Sequence, residues 1–200
     1  MLVKTSIGAL AGMLVASVPA VTNHTSIATI TANEVEENPI TLEEVSEKTW
    51  KCVGCTPAED YTLSYLQDNT SITDKNALAT ILGNIRQESM FLPNICEGGA
   101  RVPYHQCHRG GFGLIQWTTQ ARYDGLGSFC NKYGCDPSSL EGQVRYMVNE
   151  AGFQNNLPHF ERVGLTINSY MNAAYRWLGW GIHGHRTNYT YQYLGKLQWA

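Results

Sequence analysis

The chain has 200 residues, 43% apolar and 16% charged, an ordinary composition that can bury one core of moderate size and carry an additional arm. Its formal charge of -3 is unevenly spread: residues 34–60 hold eight acids against Lys48 and Lys51, whereas residues 61–200 hold nine acids against eleven bases. A mildly basic body suits an anionic polymer, but the bases are scattered singly, which argues against nucleic acid as a partner.

In chain order, MLVKTSIGALAGMLVASVPA over residues 1–20 has one lysine, an apolar run and a small-residue end, the pattern of an export signal or a weak anchor. No stretch reaches the roughly 20 apolar residues that a stable membrane span requires. Residues 21–55 are acidic and aperiodic and read as a linker or arm. From Thr56 the pattern becomes regular, and residues 56–200 are expected to form the functional domain. Thr56, Pro57 and Glu59 form a capping box that opens a first helix running to about Leu66. Thr73 or Asp74 then caps a second helix, in which Ala77, Leu78, Ile81, Leu82 and Ile85 recur at three- and four-residue steps.

Residues 93–113 break into glycines, a proline and isolated polar residues, which predicts loops and a small hairpin. Ser138 and Glu141 predict a cap for a helix carrying Leu140, Val144, Met147 and Val148. Ile167, Tyr170, Met171, Ala174 and Leu178 predict another, closed by Gly179. Tyr189, Tyr193 and Leu197 suggest a last one. The expected fold is mainly α, a helical domain with one irregular glycine-rich insertion.

Six cysteines beside an export-like start favour disulfides, and sequence proximity favours Cys96 with Cys107, Cys130 with Cys135, and Cys52 with Cys55. Zinc held by Cys52 and Cys55 with Cys107 and His105 or His108 is the alternative, but the spacing fits no closed ligand set. His183 and His185 in HGHR read as surface residues in a glycine turn. Neither a metal site nor a cofactor is expected.

The chemistry concentrates in GNIRQESMF, residues 83–91, and GGFGLIQW, residues 110–117. Glu88 lies three residues past Ile85 and seven past Ile81, on the apolar stripe of the second helix. Removing a carboxyl from water disfavours its charged form and raises its pKa, as a general acid requires. Gly110, Gly111, Gly113 and Gly125 permit tight turns and close approach of a ligand to the backbone. Gln116 adds a planar amide, and Trp117 a face on which a sugar could stack.

On ILGNIRQESMF, GGFGLIQWTTQARYDGL and the SSLEGQVRYMVNE helix, the chain resembles the phage tail lysozyme family over residues 57–197, and more distantly goose-type lysozymes and soluble lytic transglycosylases. The resemblance implies an α+β lysozyme-like fold with the glycine-rich insertion at the cleft. It also implies cleavage of the β-1,4 bond between N-acetylmuramic acid and N-acetylglucosamine in bacterial peptidoglycan. Glu88 would be the proton donor, with Ser89, Gly113 and Gln116 beside it. Phage tail proteins would be possible partners, and the protein would be exported or virion-associated.

A second carboxylate about 5 Å from the first gives retention, and one at roughly 6.5–9.5 Å gives inversion. Glu97 is the favoured candidate, ahead of Asp124, Glu141 and Glu150. Asp124 is expected to cap a helix or pair with Arg122, and Glu150 to lie on a helix surface. With no second carboxylate, the 6-hydroxyl of the muramic acid can close an anhydro ring, as in lytic transglycosylases. Tyr175 is placed somewhat like the tyrosine of those enzymes, although its spacing suits a core aromatic. A non-catalytic wall-binding or tail module and a small disulfide-rich secreted protein are the competing classes.

Overall fold

The computed structural model describes residues 49–108 and 110–200. The signal or anchor expected over residues 1–20 and most of the arm expected over 21–55 lie outside the described residues. The end of that arm belongs to the folded body. Strand β1 (Trp50–Cys52) pairs antiparallel with β2 (Leu197–Trp199), with Trp50 opposite Trp199 and Cys52 opposite Leu197. The two indoles meet edge to face at 5.0 Å, and Trp50 Nε1 donates to the Thr73 carbonyl. Two short strands are marginal alone, so the aromatic pair is what anchors the ends of the domain together.

Helix α1 (Pro57–Asn69) opens with the expected capping box, in which Thr56 N donates to Glu59 Oε2 at 2.7 Å and Glu59 N donates to Thr56 Oγ1 at 3.3 Å. Helix α2 (Lys75–Ser89) is capped by Asp74, which accepts from the amides of Asn76 and Ala77. Every residue of α2 from Ala77 to Ile85 is buried. A helix buried on all sides runs through a core rather than along it, and α2 is accordingly the central element.

It packs most extensively on α8 (Arg186–Lys196), and also on α7 (Ile167–Leu178) and α1. The closest approach is at Gly83, where an added Cβ would stand 2.6 Å from the Thr190 backbone nitrogen. Backbone cannot yield as a side-chain end can, so only glycine lets the two helices touch there.

Between α2 and α7 lie α3 (Gln120–Tyr133), α4 (Leu140–Asn149) and two single-turn helices, α5 (Ala151–Gln154) and α6 (Leu157–Phe160). Ser139 rather than Ser138 caps α4, accepting from Gly142 N, while Ser138 Oγ accepts from Tyr104 N in the preceding loop. The predicted irregular insertion is a small bridged hairpin, with Ile95 opposite Arg101, Cys96 opposite Phe112 and Phe112 opposite Trp117.

Three disulfides join Cys52 to Cys55, Cys96 to Cys107 and Cys130 to Cys135, the pairs that proximity favours. The second closes the loop after α2. Among the described residues, no helix is long and apolar enough to cross a membrane. The fold is mainly α with a small antiparallel sheet, as a lysozyme-like α+β body requires.

Candidate active site

Glu88 lies in the last turn of α2. The helix stops abruptly because Met90 and Phe91 take φ of 53° and 61°, consecutive left-handed residues that are not glycine. Such conformations cost on the order of 1–3 kcal/mol each and persist only where neighbours over-determine them. Those neighbours belong to the glycine turn. Ser89 Oγ donates to the Leu114 carbonyl at 2.7 Å, and Leu114 N donates to Gln143 Oε1 at 2.7 Å. Gln143 Nε2 in turn donates to the Pro93 and Pro137 carbonyls at 2.6 and 2.7 Å.

The fully buried Gln143 amide therefore clamps the turn, the loop after α2 and the start of α4 together. Gly113 lies against it with φ of 72°, and an added Cβ would stand 2.3 Å from Gln143 Oε1. Gln116, also left-handed at 53°, donates through Nε2 to the Gly113 carbonyl at 2.9 Å.

These elements form one wall of an open groove of about 420 Å³. Glu88, Ile115, Gln116 and Thr118 face Leu178, Trp180, Ile182 and Arg186 across it. The Glu88 side chain is 15% exposed, and among the described residues lining the groove it is the only carboxylate. Arg186, at the start of α8, donates through Nη2 to Glu88 Oε1. The guanidinium stacks on Trp180, 4.5 Å from the ring centroid, and Nη1 donates to the Ile182 and His183 carbonyls. Gln87 fixes the entry to α8 by accepting from His185 N at 2.7 Å. Both helix ends are thus tied together where the pair forms.

Burial holds the Glu88 carboxyl above the ordinary glutamate value, although the Arg186 charge and hydrogen bond, and the more distant Arg122 charge, pull it down. The same burial lowers Arg186 from its ordinary value against the attraction of Glu88. Desolvation thus works against charge on both partners and outweighs their pairing. The last helical turn adds to this, because the negative end of the helix dipole disfavours a carboxylate. With Oε1 held by Arg186, Oε2 is the oxygen left to carry a proton.

The other predicted residues separate. Gln116 lines the groove with Glu88. Ser89 is 3% exposed and bonded to Leu114, so it holds the turn and is not open to a ligand. Gly113 is likewise buried beneath the turn. Trp117 is fully buried and offers no stacking face, because its ring packs on Tyr146 and its Nε1 donates to Glu150 at 3.0 Å. Tyr175 is 54% exposed rather than in the core, and it lines a neighbouring depression together with Trp180.

Glu97 is exposed in the hairpin, where its Oε2 accepts from Gly111 N at 3.0 Å, and it does not line the groove. Glu141 is exposed and pairs with Arg145 at 3.4 Å. Asp124 accepts from Gln120 and does not pair with Arg122. Arg122 pairs instead with Glu150, which is 4% exposed and not on a surface. Glu150 accepts from Arg122 Nε and Nη2 at 2.9 and 2.5 Å, from Trp117 Nε1 at 3.0 Å and from Trp177 Nε1 at 2.7 Å.

Arg186, Trp180 and Gln143 have no counterpart among the predicted site residues. Arg186 is 98 positions from Glu88, and its one local sign is its place as the last residue of HGHR, at the start of the final helix.

A buried helix that ends on a carboxyl, with a glycine-glutamine turn closing one side of an open groove, defines a lysozyme-like lytic domain. The family model of phage tail lysozyme matches residues 59–179, more than half of the chain, and the chain belongs to that family. Family membership brings with it a lysozyme-like lytic function on peptidoglycan. No solved structure matches the chain.

Proposed function

We propose that the protein cleaves the β-1,4 bond between N-acetylmuramic acid and N-acetylglucosamine in bacterial peptidoglycan, with Glu88 as the general acid. One observation carries this reading: Glu88 is the only carboxylate among the described residues lining the groove, and burial favours its protonated form against an adjacent arginine. In this reading Arg186 occupies Oε1, so the proton rests on Oε2 toward the groove. Glu88 gives that proton to the glycosidic oxygen, the bond from that oxygen to C1 breaks, and positive charge develops on the muramic ring.

The next step favours a second reading. With no other carboxylate among the described residues lining the groove, none of them is equivalent to the partner acid of a two-carboxylate glycosidase. The 6-hydroxyl of the same muramic acid can then attack C1 and return its proton to Glu88, leaving a 1,6-anhydro end. If water attacks instead, it also returns a proton to Glu88 and leaves a reducing end. Glu97, held by the Gly111 amide, serves the hairpin in either case.

Digestion of purified peptidoglycan followed by mass spectrometry of the muropeptides tests both. Reducing ends mean hydrolysis, and products lighter by one water mean transglycosylation. A Glu88→Gln protein that retains full activity overturns the assignment of the acid.

The disulfides suit an oxidising compartment. Together with the export-like residues 1–20 they favour release from the host as an endolysin over assembly into a tail. The size of the mature protein in the periplasmic or culture fraction checks this, since removal of residues 1–20 shortens the chain.

A further inference from the structure

The cleavage reading leaves a second depression of about 420 Å³ unused, between α7 and the segment entering α8. Trp180 lines both it and the Glu88 groove, so the two share one indole as a common wall. Asn168, Met171, Asn172 and Tyr175 line the depression at i, i+3, i+4 and i+7 of α7, which places them on one helix face. That spacing ordinarily builds a core stripe, yet here it presents two exposed amides and a 54% exposed tyrosine. The buried residues of α7 are Tyr170, Met171, Ala173, Ala174 and Trp177, so Met171 forms the floor that the depression shares with the core, and Asn168, Asn172 and Tyr175 are its exposed rim.

The aromatic surface is held firmly. Tyr175 meets Trp180 edge to face at 5.2 Å, and Trp180 is fixed from the other side by the Arg186 guanidinium. Among the described residues, no carboxylate, lysine or arginine lines the depression, and its remaining lining groups are the His183 imidazole and the Thr187 hydroxyl. The amines of a peptide would find no carboxylate there. A neutral sugar ring would find an apolar face for its C–H side, and amides that both donate and accept for its hydroxyl and acetamido groups.

We propose that this depression binds an N-acetylated sugar unit of the glycan chain, beyond the units that straddle Glu88. The proposal rests on the glycan-cleaving reading of the groove, and Tyr175 is its specificity-determining residue.

The probes are N-acetylglucosamine oligomers of two and six units, titrated calorimetrically into the full-length Glu88→Gln protein. The hexamer should bind at least about tenfold more tightly than the dimer. Tyr175→Ala in that background should weaken hexamer binding roughly tenfold, Asn172→Ala about fivefold, and Tyr175→Phe, which keeps the ring, less than about twofold. Both positions are solvent-facing, and alanine is a good helix former, so the fold is retained. Hexamer affinity unchanged in Tyr175→Ala overturns the subsite.

Peptidoglycan digestion by the Glu88 protein separates the two readings. Hexamer binding through Tyr175 without muropeptide release keeps the subsite and overturns the glycosidase. Muropeptide release with hexamer binding indifferent to Tyr175 overturns the subsite alone.

Discussion

Two buried carboxyl–arginine pairs lie in this domain, and they differ in how many donors each carboxyl receives. Glu150 accepts from two arginine nitrogens and two indoles and is 3% exposed through its side chain. Glu88 accepts from Arg186 through one oxygen, is 15% exposed, and borders an open groove. A carboxyl whose lone pairs are all engaged is a structural cross-link, here joining α3, the glycine turn, α7 and the end of α4. One with a free oxygen at a groove is available for proton transfer. Residue type and burial do not separate the two; the donor count does.

Exchange of each acid for its amide breaks the comparison most directly. Glu88→Gln should lower kcat/KM on peptidoglycan by about 10³-fold or more, with an unchanged circular dichroism spectrum. Glu150→Gln should do the reverse, costing about 3–5 kcal/mol of stability in denaturant titrations, because one carbonyl oxygen cannot serve four donors and the new amide faces a guanidinium. Loss of activity without loss of stability in the Glu150 variant would erase the distinction.

Gly83→Ala comes next, at about 1–3 kcal/mol, because its methyl group meets the Thr190 backbone. It should also depress activity more than its stability cost predicts, since it separates Arg186 from Glu88.

Arg186→Met sharpens the electrostatic side. Glu88 must be protonated to act, so activity is lost as pH rises through its pKa. Arg186 opposes the upward push of burial. Removing it leaves burial opposed only by the more distant Arg122 charge, and the basic limb of the kcat/KM profile should move to higher pH, by about one pH unit for each tenfold change in the proton equilibrium. A limb that stays in place or moves down contradicts the pairing. The smallest effect belongs to Glu97→Gln, which loses only one hairpin contact and should keep activity within about threefold.

Much of this arrangement is legible locally. The capping box at Thr56, the Asp74 cap and the closure of α7 at Gly179 follow from side chains within a turn of one another. The three disulfides join the nearest cysteines. Glu88 and Gln116 share a groove because a periodic helix and a glycine turn both point to it. Helix α3 is harder to read, since it buries only Leu126 and Cys130 and so has no apolar stripe. Trp117 and Tyr175 exchange their expected settings for a similar reason. Whether a ring faces the core or solvent depends on what packs over it, here Tyr146 and Glu150 on one side and an open depression on the other. The Arg122–Glu150 and Arg186–Glu88 pairs span 28 and 98 residues and leave no periodic trace.

The segment matched by the family ends at residue 179, whereas α8 begins at Arg186. A protein trimmed to the matched segment would lose the cation beside Glu88, the Tyr193 hydroxyl that donates to Glu59, and both strands of the β1–β2 pair. On the ribosome the same order holds, so the acid acquires its partner only after nearly the whole chain has been made. Expression boundaries for this protein are therefore better drawn past Trp199 than at the edge of the match.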